Sequence, residues 1–327
     1  MIYSILRWIS GIAVHWFYGE IRVIDRKKIP DRGPLFIAVN HQNALVDSLI
    51  TAWVVRRRVT MTAKATLMAN PFVALLFRML DVVPLRRAGD EVSRTGSLEV
   101  DRSRNEHSFR EILGVLGNQG AVLIFPEGKS HNEPGLEPLK SGLARLALSA
   151  RHEWAISDVM ILPLGLVFED KGRPGSVVGV RVGDAIAMDS WTSRDHTTLT
   201  REIALRLRKV SAEAEMPSEV AGRNSEKVPR RSKFMRAVIS VAAFWGRITH
   251  ELPVRAARSI AMSRRRDADQ PAMLTILMAT VLVLLTYAVH FAIVDALVHS
   301  IWISAIYVGT LLVGAYCTAF RNHPRYG

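Results

Sequence analysis

Pro34-Leu35-Phe36-Ile37-Ala38-Val39 runs straight into Asn40-His41-Gln42-Asn43-Ala44-Leu45-Val46-Asp47. The first half is a short apolar run bounded by polar residues, the pattern of a buried strand. The second half places a histidine and an aspartate at the end of that strand. Such a pair can act as a base and its orienting carboxylate: the imidazole takes a hydroxyl proton, and the carboxylate holds the tautomer and supports the imidazolium. No side-chain nucleophile is needed when the substrate brings its own hydroxyl, which is the chemistry of acyl transfer to an alcohol. Taken alone, such a pair is more often a loop-capping contact. Five residues separate His41 from Asp47. Six positions along a regular helix put two side chains about 120° apart, so the spacing predicts His41 in the turn and Asp47 in or before the first helical turn. A carboxylate there also favours a helix N-terminus, so a simple cap is the competing role for Asp47.

Two further turns come after apolar runs in the same way. Val82-Val83-Pro84-Leu85 leads to the paired Arg86-Arg87, and a planar guanidinium suits a phosphate through bidentate hydrogen bonds. Ala121 to Ile124 leads to Phe125-Pro126-Glu127-Gly128-Lys129-Ser130-His131. There the Pro-Glu-Gly sequence ends the strand, and Gly128 lets the backbone approach a ligand closely. Val159 to Val167 is a fourth apolar run, with Pro163 and Gly165 at its centre. Helical spacing of apolar residues appears at Ser108 to Leu116 and at Leu199 to Val210. Strand-like runs alternating with helical stretches predict an α/β fold.

In this order the four blocks resemble the glycerolipid acyltransferase family. Its members carry an Asn-His…Asp motif, a phosphate-binding arginine motif, a Phe-Pro-Glu-Gly motif and a Pro-containing strand. The resemblance covers roughly the first two thirds of the chain, and Ala63-Lys64-Ala65-Thr66-Leu67 and Pro138-Leu139-Lys140-Ser141-Gly142 also look like family positions. Two departures stand out: the usual His–Asp gap is four residues, and Lys129-Ser130-His131 replaces the usual Thr-Arg-Ser. Both are similar to the yeast-type glycerol-3-phosphate or dihydroxyacetone-phosphate acyltransferases. The resemblance implies a glycerol-3-phosphate acyltransferase-like domain that moves a fatty acyl group from acyl-CoA or acyl-carrier-protein to glycerol-3-phosphate or its 1-acyl product, without a metal or other cofactor. It further implies His41 as general base supported by Asp47, with Arg87, then Arg86, on the acceptor phosphate. Lys64, Lys129 and Lys140 are weaker candidates that also read as solvated surface charges. Glu127 bonds the acceptor or organises its turn, and Gly128 shapes that turn. Ser130-His131 as a nucleophile pair is disfavoured because adjacent side chains rarely aim at each other. Another lysophospholipid acceptor, or a non-catalytic protein that binds anionic lipid, are the alternatives.

Other classes fall away on particular residues. Gly128-Lys129-Ser130 looks like the end of a phosphate-binding P-loop, but the first glycine of that motif falls on Leu123. A Gly-x-Ser-x-Gly elbow is absent, against a serine hydrolase. Cys317 is the one cysteine, so no intrachain disulfide forms and a cysteine zinc site is not indicated.

The formal charge of +13 is unevenly spread. Gly222 to Gln270 holds 12 Lys or Arg against 4 Asp or Glu. Such a segment serves nucleic acid or anionic lipid, and the residues C-terminal to it favour lipid. Ala272–Val294 and Ile301–Phe320 are runs of 23 and 20 residues without a formal charge, each long enough to cross a bilayer core. With Asp295 to Ser300 as the connection they predict a C-terminal transmembrane hairpin. Arg264, Arg265 and Arg266 before it, and Arg321 and Arg325 after it, predict both ends and the catalytic domain on the cytoplasmic side. His290 in the first span is expected to pack against its partner helix. Phe234 to Ile248 reads as an interfacial helix or as one packed on the catalytic domain. Met1 to Phe17 reads as an amphipathic helix on the membrane, with Gly11 a weak point in its continuity. The expected organisation is a membrane-associating helix (1–19), a catalytic domain (20–212), a basic juxtamembrane segment (213–270), two transmembrane helices (271–320) and a short cytoplasmic tail (321–327), with no nucleic-acid partner.

Overall fold

The computed structural model describes residues 2–69, 74, 77–78, 80–86, 105–131, 135–213, 233–263 and 270–320. Eight strands form one mixed sheet: β1 (Glu20–Ile24), β2 (Leu35–Val39), β3 (Val59–Lys64), β4 (Val83–Leu85), β5 (Ala121–Ile124), β6 (Met160–Phe168), β7 (Val177–Val182) and the short β8 (Ile186–Ala187). Their order is β1-β7-β6-β2-β5-β3-β4, with β8 beside β6. The described helices are α1 (Ile2–Phe17), α2 (Ala44–Val54), α3 (Glu106–Gly117), α4 (Gly142–His152), α5 (His196–Glu213), α6 (Lys233–Ser263), α7 (Gln270–Val298) and α8 (Ile301–Phe320).

All five residues of β2 are buried because both faces of the sheet are covered. Side chains alternate across a strand, so Leu35, Ile37 and Val39 face a layer that includes Val14 and Phe17 of α1 and Ile50 of α2. Phe36 and Ala38 face the other layer, with Leu116 of α3, Leu146 of α4 and Leu199 of α5. Gly165 in β6 permits a close approach in this second layer: a Cβ there would lie 2.6 Å from the backbone of Val210 in α5.

The C-terminal helices form a bundle that docks on the α1 and α2 layer, where Ala272 and Ile276 join the core. By length and composition, Ala272–Val298 and Ile301–Ala319 are long and apolar enough to cross a membrane. Much of their surface is exposed and apolar, including Trp302 (78%) and Ile306 (70%). The hairpin connection is shorter than the expected Asp295 to Ser300. Asp295 lies inside α7, which continues to Val298, and only His299, with a left-handed φ of 51°, and Ser300 link the two helices. The His299 N–H donates to the Asp295 carbonyl and so closes the helix end. His290 does face its partner helix, with Nδ1 2.9 Å from the Tyr307 hydroxyl and the two rings stacked.

The helix in the basic segment is twice the expected Phe234 to Ile248 stretch and packs on α7 and α8, not on the sheet domain. Ala243, Gly246, His250, Ala257 and Ala261 recur along one face and are buried or tightly packed, while Phe234, Val241, Phe244, Ile248 and Leu252 are exposed on the other. Gly246 crosses Gly314 of α8 so closely that a Cβ on it would sit 2.0 Å from the Gly314 carbonyl oxygen. Small residues permit this approach between apolar helices. Gly246→Val is therefore expected to push α6 from α8 at a cost of at least about 1–3 kcal/mol, read as a lower unfolding temperature of the purified protein. An unchanged melting curve would exclude this crossing.

Gly11 does not interrupt α1, which is continuous from Ile2 to Phe17. The glycine is there for space: a Cβ would meet the Trp53 ring of α2 at 2.3 Å. Helix α1 therefore bridges α2 of the sheet domain and the C-terminal bundle, and Trp16 Nε1 donates to the Ala315 carbonyl of α8 at 3.0 Å.

Candidate active site

β2 pairs in parallel with β5 and β6, β5 with β3, and β3 with β4. The carboxyl ends of these five strands therefore share one edge of the sheet, where open α/β sheets bind ligands. Asn40-His41 leaves β2 there, Phe125-Pro126-Glu127 leaves β5, and Lys64 ends β3 opposite Leu85, the residue before Arg86. Turns far apart in sequence converge through strand order.

His41 and Asp47 meet as the spacing predicts. His41 lies in the turn, Asp47 in the first turn of α2, and Nδ1 is 2.9 Å from Asp47 Oδ2. That same oxygen accepts the backbone N–H of Gln42 and Asn43 at 2.9 and 2.8 Å. Asp47 thus does both jobs, capping the helix and orienting the histidine. It also braces Ala44, whose left-handed backbone (φ 42°) costs ~1–3 kcal/mol. The Asp47 side chain is fully buried and that of His41 is 10% exposed. With Nδ1 turned to the carboxylate, Nε2 has no hydrogen bond among the described residues and is placed to accept a proton. The imidazole stacks on Phe125, with centroids 3.9 Å apart and planes 14° apart.

Glu127 is the second hub. Its buried carboxylate accepts the His41 backbone N–H at 2.6 Å and the Glu137 N–H at 2.8 Å, and it pairs with His131 Nε2 at 2.6 Å. The backbone of His131 also donates to the His41 carbonyl at 3.2 Å. Of the two roles expected for Glu127, this geometry is that of the turn organiser, since its oxygens are engaged within the protein. Gly128 has a φ of 79°, so the turn requires glycine for its backbone conformation. His131 pairs with Glu127, not with its neighbour Ser130.

The cationic candidates differ in availability. Arg86 is exposed; its backbone is clamped by both ends of the Asn105 amide at 2.9 Å, and its guanidinium makes no hydrogen bond or ion pair among the described residues. Arg87, the first choice for the phosphate, lies outside the described residues. Lys129 is largely exposed and pairs with Glu137 at 3.1 Å, and Lys140 is an exposed residue whose backbone N–H bonds Pro126. Among the described residues no group of three or more His, Cys, Asp or Glu is placed to hold a metal ion.

Several residues build the site without having been singled out in the sequence. The Asn40 amide donates to the Leu166 carbonyl at 2.8 Å and accepts the Leu166 N–H at 2.7 Å, locking the end of β2 to β6. Lys171 Nζ donates to the Gln42 carbonyl at 2.9 Å, while its own carbonyl accepts from the Tyr18 hydroxyl at 2.9 Å. Tyr18 also receives a hydrogen bond from the Asn43 amide at 2.7 Å. Burial, then the Asp47 charge, pushes the Tyr18 phenol well above its usual range, so it stays a neutral donor. Asn40 and Phe125 belong to the Asn-His and Phe-Pro-Glu-Gly motifs, though no role was expected of either; Tyr18 and Lys171 carry no local signal.

Comparisons with known proteins bear on the family of this domain. The acyltransferase family model matches residues 20–167. The chain is 24% identical to glycerol-3-phosphate O-acyltransferase 1 of Saccharomyces cerevisiae over 266 residues, which cover 57% of this chain and 35% of that protein. It is 26% identical to the 1-acyl-sn-glycerol-3-phosphate acyltransferase of Haemophilus influenzae over 162 residues, 46% of this chain and 62% of that protein. The chain thus spans less than two thirds of either curated relative. The crystal structure of the 1-acyl-sn-glycerophosphate acyltransferase of Thermotoga maritima aligns at a TM-score of 0.48 and 19% identity, covering 68% of this chain and 81% of that one. All four motif blocks fall within the matched segment, and residues 20–167 of this chain form an acyltransferase-family domain.

Proposed function

We propose that this protein is a membrane-bound O-acyltransferase of glycerolipid synthesis. It moves a fatty acyl group from a thioester to a hydroxyl of glycerol-3-phosphate or 1-acyl-glycerol-3-phosphate. The observation that carries this reading is the buried His41–Asp47 pair at 2.9 Å, on the same strand edge as the Arg86 turn. His41 Nε2 removes the acceptor hydroxyl proton as the oxygen attacks the thioester carbonyl. The tetrahedral intermediate then collapses, the carbon–sulfur bond breaks, and the thiolate leaves with the proton returned by His41. Asp47 holds the tautomer and stabilises the imidazolium. Arg86 and Arg87 take the acceptor phosphate. The two curated relatives are named for these two acceptors. Two long apolar helices beside a segment of net +8 support a membrane location, with the arginine-flanked ends and the catalytic domain on the cytoplasmic face.

The test is thiol release from acyl-CoA, and in parallel from acyl-carrier-protein, with each acceptor supplied separately. Release that depends on one acceptor supports the reading and names the step. No release with either donor and either acceptor would sink it in favour of another lysophospholipid acceptor or a lipid-binding protein. For the phosphate, Arg86→Ala is expected to raise the acceptor KM roughly 10- to 100-fold, the loss of a charge-assisted hydrogen bond of about 1.5–3 kcal/mol. An unchanged KM would move phosphate recognition to other cations such as Arg87 or Lys64.

A further inference from the structure

The bundle contains an apolar cavity of about 280 Å³ that the proposed acyl transfer does not use. Its walls come from Ile9, Ile12 and Trp16 of α1, Val254 of α6, and Val283 and Leu284 of α7. Its size lies at the lower edge of the about 300–1,000 Å³ of small-molecule pockets, room for one chain of a lipid and not the whole molecule.

Among the described residues, one Lys or Arg lines this apolar space. Arg258 of α6 carries a buried Nε with no hydrogen-bond partner, and among the described residues its guanidinium forms no ion pair. Arg258 as a residue is only half-buried, but its buried Nε lacks an acceptor, and an anion that accepts from it lowers the cost of leaving that donor unbonded. Arg258 lies toward the basic end of α6, six positions before Arg264 in a segment of net +8. The other end of the cavity is closed by His250, whose Nε2 is 2.6 Å from the Tyr287 hydroxyl. Along α7 the lining runs from Thr275 to Tyr287, roughly 18 Å at 1.5 Å per residue. Half of a bilayer core is about 15 Å. The cavity therefore has the depth of one leaflet, with a cation toward the basic end.

We propose that this cavity is a binding site for an anionic phospholipid of the bilayer, with one acyl chain among α1, α6 and α7 and the headgroup phosphate on Arg258. Wall residue Phe17 is followed by Tyr18, which bonds Asn43 beside the His41 turn. A lipid seated here thus braces the helix that supports that turn.

The experiment is native mass spectrometry of the full chain in mild detergent, titrated with phosphatidylglycerol or phosphatidylcholine. Wild type is expected to retain one phosphatidylglycerol at concentrations where phosphatidylcholine is lost. Arg258→Gln is expected to weaken phosphatidylglycerol about tenfold, and Arg258→Lys to recover part of the loss. Ala279→Phe, which fills the cavity, is expected to abolish retention of both lipids. Equal retention by wild type and Arg258→Gln would overturn the proposal. So would displacement of the lipid by saturating acyl-CoA, which would give the cavity to the acyl donor. The inference rests on the membrane placement proposed above but not on acyl transfer. Release of the protein from membranes by alkaline carbonate would remove both placement and lipid site, whereas a carbonate-resistant protein with no headgroup preference loses the lipid site alone.

Discussion

His41→Ala is expected to lower acceptor-dependent thiol release by roughly 10²–10⁴-fold, the range that a positioned general base contributes, while the melting temperature stays close to that of wild type. The two halves of this result have separate causes. Among the described residues the imidazole makes one polar contact, to Asp47, so its removal strands no side chain but that carboxylate. Asp47 Oδ2 keeps the N–H groups of Gln42 and Asn43, so the start of α2 and the left-handed Ala44 stay braced. What is lost is the stacking on Phe125 and the nitrogen that takes the proton. Equal thiol release by the variant would exclude His41 as the base. A large fall in melting temperature would instead make His41 chiefly a structural residue.

Glu127→Ala is expected to lose activity and stability together. This carboxylate is buried and holds the backbone N–H of His41, the backbone N–H of Glu137 and the side chain of His131. Its removal leaves those donors without an acceptor in a dry turn, at roughly 1–3 kcal/mol for each group left unsatisfied. Breaking one side of a buried pair costs about 3–5 kcal/mol in other proteins. The expected signature is a clearly lower unfolding midpoint with a kcat reduced because His41 is displaced. It contrasts with His41→Ala, in which kcat alone should fall. A variant with wild-type stability and a raised acceptor KM would return Glu127 to the acceptor-binding role.

The contrast between these two residues marks where local reading stops. His41 and Asp47 are six positions apart, so the short turn between β2 and α2 is enough to join them. Glu127 and the His41 N–H are 86 positions apart. Their contact depends on β2 lying beside β5, and that neighbourhood is set by backbone pairing across the sheet, not by any periodicity within either strand. Nor do apolar runs specify the order in which they pair.

Residue order alone is enough to mark the strands that end in the three motif turns, the Pro-bearing strand, the two long apolar helices, the concentration of positive charge before them, and the histidine and carboxylate at the first turn. These are short-range properties: side-chain alternation, helical period, and residue chemistry at fixed spacing. Packing in three dimensions sets the rest. It brings the motif turns to one edge, makes Glu127 the organiser of two of them, turns Gly11 and Gly246 into sites of close helix approach, and sets Arg258 against an apolar cavity with its Nε unbonded among the described residues. Each of these rests on contacts between segments distant in sequence, where packing space and unsatisfied polar groups exist only once the chain has folded.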